Sequence, residues 1–383
     1  MQPNRGALSG MTVLDLSRLL PGPFCSMILA DHGARVIAIE DRRYQADDFF
    51  LATVNRNKQH MTLNLKSAAG RSIFYRLAQT ADVILEGFRP GVVQRLGVDY
   101  ETVTALNPGI VYCSLSGYGQ TGPLRDKAGH DVNYLAHSGV LELIGEPDRP
   151  PAIPGVQIAD MAGGGLNAAV GILLALLARQ KSGRGQYIDI SMTDGSVSLL
   201  SLLLHFQQIG GETPRRADMR FSHRYACYNT YETRDGRYLA IGAVETKFWQ
   251  RICDLLGVRE YAALQYDDNR REEILEFMRR TIKTKTLAQW EEFLVDVDVC
   301  WAPVKTLEEV LQERHFRERK MVVDLSDKQG GRTTLFGTPI NLSATPGSLR
   351  TPAPGFGENT RDILSELGYS TAEIDALVEK GIV

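Results

Sequence analysis

Along the first half of the chain, short apolar runs alternate with longer stretches in which apolar residues recur at helical spacing. Residues 12–16, 35–40, 82–86 and 110–115 read as buried strands, and 24–32, 68–80 and 92–96 as helices. This alternation predicts a parallel sheet flanked by helices. A Gly-rich polar loop, 116–131, follows. Then come a Gly- and Ala-rich helix over 161–179, a strand over 187–191 and a helix over 194–208. Residues 1–208 are therefore expected to form a large Rossmann-like α/β domain.

The pattern changes after a linker, 209–224, that contains Gly210, Gly211 and Pro214. Residues 225–233 and 238–243 read as an antiparallel hairpin, with Asp235-Gly236 supplying the turn. Helices are predicted over 246–256, 270–282 and 287–295. Together these make a smaller α+β domain over 225–325. Residues 326–383 carry a Pro/Gly-rich stretch, 345–357, and two short helices. The first ends at Gly368, and the second opens with Ser370 and Glu373 at capping-box spacing.

The 383 residues are 43% hydrophobic and 23% charged, as in ordinary soluble globular proteins. A formal net charge of −3 gives no overall attraction to nucleic acid or anionic membrane, so a polyanionic ligand needs a local basic patch. The apolar run 168–178 is shorter than the roughly 20 residues that span a bilayer. No signal-peptide pattern opens the chain, and its last residues are not a Ser-Lys-Leu address. Five unpaired cysteines without a C-x-x-C suit a reducing compartment. A cytoplasmic protein is expected, without metal, membrane or nucleic-acid partner.

A nicotinamide site is excluded at the first strand–helix turn. It reads Ser17-Arg18-Leu19-Leu20-Pro21-Gly22-Pro23, with no glycine fingerprint and with prolines where a pyrophosphate needs N–H groups. Asp160 is the most informative acid. It stands before Met161-Ala162-Gly163-Gly164-Gly165, at what reads as a helix N-cap. A capping role would explain Asp160 but not three glycines, each about 1 kcal/mol worse than alanine in a helix. They suggest close approach of a ligand, with free N–H groups facing a developing oxyanion. His130 lies in the polar Gly129-His130-Asp131 at the end of the Gly-rich loop, while His137 reads as a packing residue. Glu245 opens a predicted helix after the hairpin. Arg42, Arg43, Arg56, Lys58, Lys66, Arg89 and Arg95 cluster in the first domain. They read as a phosphate-accepting rim or as solvated surface.

Several blocks together resemble the family III CoA-transferases of the CaiB/BaiF type. They are Asp15 to Pro23, Ala30 to Ala34, Asn57-Lys58 with Thr62 to Lys66, and Glu86 to Val92. Ser116 to Pro123, Ala159-Asp160, Gly183 to Gln186 and Gly357-Glu358-Asn359-Thr360 complete the set. Within that family, Ala128 to Ala136 and Ile241 to Glu245 are similar to the α-methylacyl-CoA racemase branch. The resemblance implies an interlocked homodimer that binds an acyl-CoA thioester, with no cofactor beyond the coenzyme A of the substrate. It implies coenzyme contacts at Arg42, Leu63, Asn64, Leu65, Lys66, Gly87, Phe88, Arg89, Arg95, Gly129, Asp131, Val132, Asn133 and Tyr134. His130 and Asp160 become the acid/base pair, and Glu245 an accessory carboxylate.

Three activities stay open on this reading. A racemase would move the α-proton of a 2-methylacyl-CoA between His130 and Asp160 through an enolate. A CoA-transferase would use Asp160 as a nucleophile and form an acyl anhydride. A non-catalytic subunit would only bind acyl-CoA.

Overall fold

The computed structural model describes residues 6–46, 50–211, 213–326 and 331–383. The chain divides into two compact units. The first comprises Met1–Val140, Pro154–Leu200 and Arg314–Val383; the second comprises Leu141–Ile153 and Ser201–Glu313. The sequence reading set the junctions at 208/209 and 325/326 and left 141–153 with the first domain.

In the first unit six strands form one parallel sheet. These are β1 (Thr12–Asp15), β2 (Arg35–Glu40), β3 (Lys58–Thr62), β4 (Val83–Glu86), β5 (Val111–Ser116) and β6 (Tyr187–Ser191). Their order is β3-β2-β1-β4-β5-β6. The chain therefore leaves β1 in one direction and later resumes from its other side at β4. In such sheets ligands bind at this switch point, beyond the carboxyl ends of the strands.

Helix α1 (Pro21–Asp31) begins on Pro21-Gly22-Pro23, where missing N–H groups cost nothing because a first turn has no intrahelical use for them. Helices α2 (Ala68–Ala78), α3 (Val92–Leu96) and α4 (Tyr100–Leu106) follow. Ile73, Phe74, Leu77, Val93 and Val103 from these helices pack with Leu14, Ile84 and Tyr112 of the sheet. Helix α5 (Asp131–Ser138) closes the Gly-rich loop. A π-helical segment, Ala159–Leu166, then runs directly into α6 (Asn167–Ser182), and α7 (Met192–Ser198) follows β6. The predicted helix over 194–208 is thus two helices, with Ser201–Gly210 belonging to the second unit.

The continuous helix Ala159–Ser182 has 24 residues, and an 18-residue window within it has a mean hydropathy of 1.9, long and apolar enough to cross a membrane by length and composition. The sequence reading, which counted only 168–178, missed this. Ala168, Ala169, Ile172, Ala175 and Leu176 are buried on the sheet side, while Val170, Leu173, Leu174 and Leu177 are exposed.

The second unit holds the expected hairpin, Tyr228–Glu232 with Tyr238–Gly242, extended by a third strand, Trp301–Pro303. Gly236 takes φ +73° in the turn. Helices Thr246–Leu256, Arg271–Ile282 and Leu287–Leu294 surround a core built on Trp249, Trp290 and Tyr231.

Candidate active site

Two clefts open beyond the carboxyl ends of the parallel strands. The first, of about 460 Å³, is lined by the turn after β1 (Ser17 to Gly22), the turn after β4 (Gly87 to Pro90), the loop after β5 (Leu115 to Tyr118), and by His130, Asn133, Tyr134, Asp160 and Met192. The second, of about 430 Å³, is lined by Glu40, Asp41, Arg43 and Tyr44 after β2, Leu63, Leu65 and Lys66 after β3, and Val92 and Leu96. Arg18, Leu19, Gly87, Phe88 and Arg89 line both. Arg18, Arg89, Arg125 and Lys127 face the first cleft, and Arg43 and Lys66 join Arg18 and Arg89 in the second. A chain of net negative charge thus gathers six cationic side chains at the switch point, among them Arg18, paired with Glu40, and Arg43, paired with Asp41.

The Gly-rich loop is tethered rather than loose. Asp189 accepts from the Gln120 N–H at 3.0 Å, and the Gly117 carbonyl accepts from the Thr193 N–H and hydroxyl at 3.0 and 2.8 Å. The Tyr134 hydroxyl donates to the Gly129 carbonyl at 2.5 Å. Its ring fills the space that a Cβ on Gly117 or Gly129 would need, 2.4 and 2.7 Å away. His130 is exposed at the start of α5, where Asn133 Oδ1 accepts its N–H at 3.0 Å. His137, expected to pack, is exposed and lies edge-on to the Tyr118 ring.

Asp160 is half-buried in the first turn of the π-helical segment, two residues past the N-cap, Ile158, rather than at the N-cap position expected for it. Burial, with the Asp131 carboxylate nearby, pushes its carboxyl up to about 6, against the pull of the His130 imidazole. The backbone N–H groups next to it are engaged. That of Asp160 donates to Asp131 Oδ1 at 2.9 Å, and that of Met161 to the Gln157 carbonyl at 3.0 Å. The three glycines answer to packing. A Cβ on Gly163 would lie 2.6 Å from the Met192 carbonyl, one on Gly164 2.7 Å from Met192 Cγ, and one on Gly165 2.8 Å from the Pro21 carbonyl. They admit α7 and α1, and this corrects the expectation that they clear room for a ligand.

The rim is smaller than the sequence suggested. Arg56 is buried in a forked pair with Asp31, its Nη2 2.6 Å from Oδ2. Lys58 is buried on the Pro23 carbonyl (2.9 Å), Asn55 Oδ1 (3.0 Å) and Asp15 (3.6 Å). Neither faces the clefts. Of the other residues named from sequence, Leu63, Leu65, Lys66, Gly87, Phe88, Arg89, Gly129, Asn133 and Tyr134 line one cleft or the other. Arg42, Asn64, Arg95, Asp131 and Val132 stand outside both linings, with Arg43 in the place expected of Arg42. Glu245 lies in the second unit, at the N-cap of Thr246–Leu256. Sequence reasoning missed Arg18, Tyr44, Tyr118, Arg125 and Lys127. The position of Arg18 directly after a buried strand was the available signal.

A doubly wound sheet whose switch point carries an imidazole, a carboxylate and cationic side chains is the arrangement of an α/β enzyme. The chain belongs to CoA-transferase family III, whose family model matches residues 8–360. It is 37% identical over 379 residues to the alpha-methylacyl-CoA racemase of Homo sapiens, covering 98% of this chain and 97% of that protein. It is 31% identical over 395 residues to the succinyl-CoA–D-citramalate CoA-transferase of Chloroflexus aurantiacus, covering 98% of both. A solved CAIB/BAIF family protein from Brucella suis superposes with a TM-score of 0.82 at 29% identity, covering 95% of this chain and 100% of that one.

Proposed function

We propose that this protein is an α-methylacyl-CoA racemase, which inverts the α-carbon of a 2-methylacyl-CoA. The observation that carries the reading is a carboxyl raised to about 6 in one cleft with an imidazole. Such a pair can hold one proton between two bases near neutral pH. One base takes the α-proton, and the C–H electron pair becomes the enolate π bond while charge moves onto the thioester oxygen. The other base, protonated at the start, returns a proton to the opposite face, and the enolate electrons form the new C–H bond. His130 and Asp160 exchange these roles with the hand of the substrate.

The cationic lining receives the phosphates of coenzyme A, and the first cleft receives the thioester. Glu245 keeps the accessory role that the resemblance gives it. Two copies associate as an interlocked homodimer in the cytoplasm. Support for the dimer comes from the outer face of α6, where Val170, Leu173, Leu174 and Leu177 are exposed in the single chain.

The test is incubation with a 2-methylacyl-CoA in D₂O without any free carboxylic acid. The racemase takes up deuterium at the α-carbon and inverts it. A CoA-transferase would instead pass coenzyme A to an added acid and leave an Asp160 acyl anhydride that hydroxylamine traps; that outcome would replace the proposal.

A further inference from the structure

The Gly357-Glu358-Asn359-Thr360 motif is remote in sequence from every cleft residue, yet it is clamped onto β3. Asn359 Oδ1 accepts the His60 N–H at 2.9 Å, and the Asn359 N–H returns to the His60 carbonyl at 2.9 Å. Thr360 Oγ1 accepts the Thr62 N–H at 3.0 Å. The Gly357 N–H donates to the ring of His60, at Nδ1, over 2.7 Å. Gly357 takes φ +73° there, and a Cβ would stand 3.1 Å from Thr62 Cγ2. Only glycine meets both conditions without strain.

That last bond fixes the chemistry of the imidazole. An amide N–H can only donate, so Nδ1 is the acceptor and the ring proton sits on Nε2. Nε2 lies 3.4 Å from Glu40 Oε1. The separation is long for a hydrogen bond, and the carboxylate charge compensates in part. The His60 side chain has no exposed surface and is held between Phe356 and Phe50, with ring centroids 4.5 and 5.0 Å away. Its ring therefore has little freedom to turn from Glu40. The other oxygen of Glu40, Oε2, accepts from Arg18 Nε at 2.7 Å. The Arg18 guanidinium lies over the Tyr44 ring, 3.4 Å from its centroid. Arg18 lines both clefts.

We propose that His60 is a positioning residue for acyl-CoA binding. Set by the Gly357 N–H, it orients Glu40, which orients the Arg18 guanidinium where the two clefts meet. The proposal rests on reading those clefts as the acyl-CoA site. The end of the chain thereby acts on the cleft through one buried ring.

The test is a double-mutant cycle on the full-length protein, reading the Kd of free coenzyme A by titration calorimetry. Steady-state kcat and KM for inversion of a 2-methylacyl-CoA are read alongside. His60→Ala is expected to weaken coenzyme A about tenfold and raise KM alike, with kcat changed less than about threefold. His60→Gln, whose amide N–H still reaches toward Glu40, should restore most of the affinity, which a purely structural loss would not allow. The pair His60→Ala with Arg18→Ala should bind no more than about threefold more weakly than Arg18→Ala alone. Full additivity, or a fall in kcat with Kd and KM unchanged, overturns the relay while leaving the reading of the clefts intact. Wild-type affinity in Arg18→Ala overturns both. Should His60→Ala fail to fold, Glu40→Gln and His60→Leu, which fills the space between the phenyl rings but cannot donate to Glu40, carry the same cycle with Arg18→Ala.

Discussion

Two charged clusters lie within the first unit, and they are opposites. Beneath the sheet ends, Asp15 accepts from the Ser17 and Ser26 hydroxyls and pairs with Lys58. Beside it Asp31 accepts a fork from Arg56 and a third bond from Asn57 Nδ2 at 2.7 Å. Both carboxylates are buried and matched by a cation, as buried charges must be. At the cleft, Asp160 stands near the carboxylate of Asp131, with the exposed His130 imidazole opposing it. The first arrangement holds its geometry through direct ion pairs, although burial lowers the Lys58 ammonium to about 8. The second keeps a carboxyl ready to gain or lose a proton near neutrality. Matched charge marks the scaffold, and mismatched charge marks the chemistry.

The sharpest way to break this comparison is to unmatch the scaffold. Arg56→Ala leaves Asp31 buried without its cation and should cost about 3–5 kcal/mol. Urea unfolding reads that loss, and the protein that remains folded should invert substrate at the wild-type rate. A stable variant with lost activity would move Arg56 into the site.

A gentler change sharpens the other half. In the proposed two-base scheme a single proton is shared by His130 and Asp160, so protonation of the Asp160 carboxylate, below pH of about 6, removes the base. The pH profile of kcat/KM should fall about tenfold per pH unit on that side. It should do so equally for both hands, because their ratio is fixed by an equilibrium constant that does not depend on pH. Burial is the larger cause of the raised carboxyl and Asp131 the next. Asp131→Asn should therefore move the acid limb to lower pH, and an unmoved limb would remove Asp131 from the account.

Much of the sheet was legible because β1, β2, β4 and β5 are apolar runs with helices between them. Strand β3 was not. Its residues Lys58, Gln59, His60, Met61 and Thr62 carry no strand pattern. Lys58 and His60 are buried only because Asn55, the Pro23 carbonyl, Glu40 and Gly357 meet them from elsewhere in the chain. The same long-range matching misled the reading of the basic cluster, where Arg56 and Lys58 looked like rim residues. The glycines after Asp160 correctly signalled a close approach, but local sequence could not say that Met192, Pro21 and Phe24 were what approached. His130 and Asp160, some thirty residues apart in sequence, were each marked by their local setting, and the resemblance paired them as acid and base. Their meeting in one cleft is a property of the fold.

The central claim is that His130 and Asp160 work on opposite faces of one α-carbon. It is tested most directly by washing out the α-hydrogen of each hand of a 2-methylacyl-CoA separately in D₂O, with His130→Asn and with Asp160→Asn. Neither variant should invert substrate. Each should still exchange the α-hydrogen of one hand, and the two variants should serve opposite hands. Near-wild-type inversion by either variant, or exchange of the same hand by both, would contradict it.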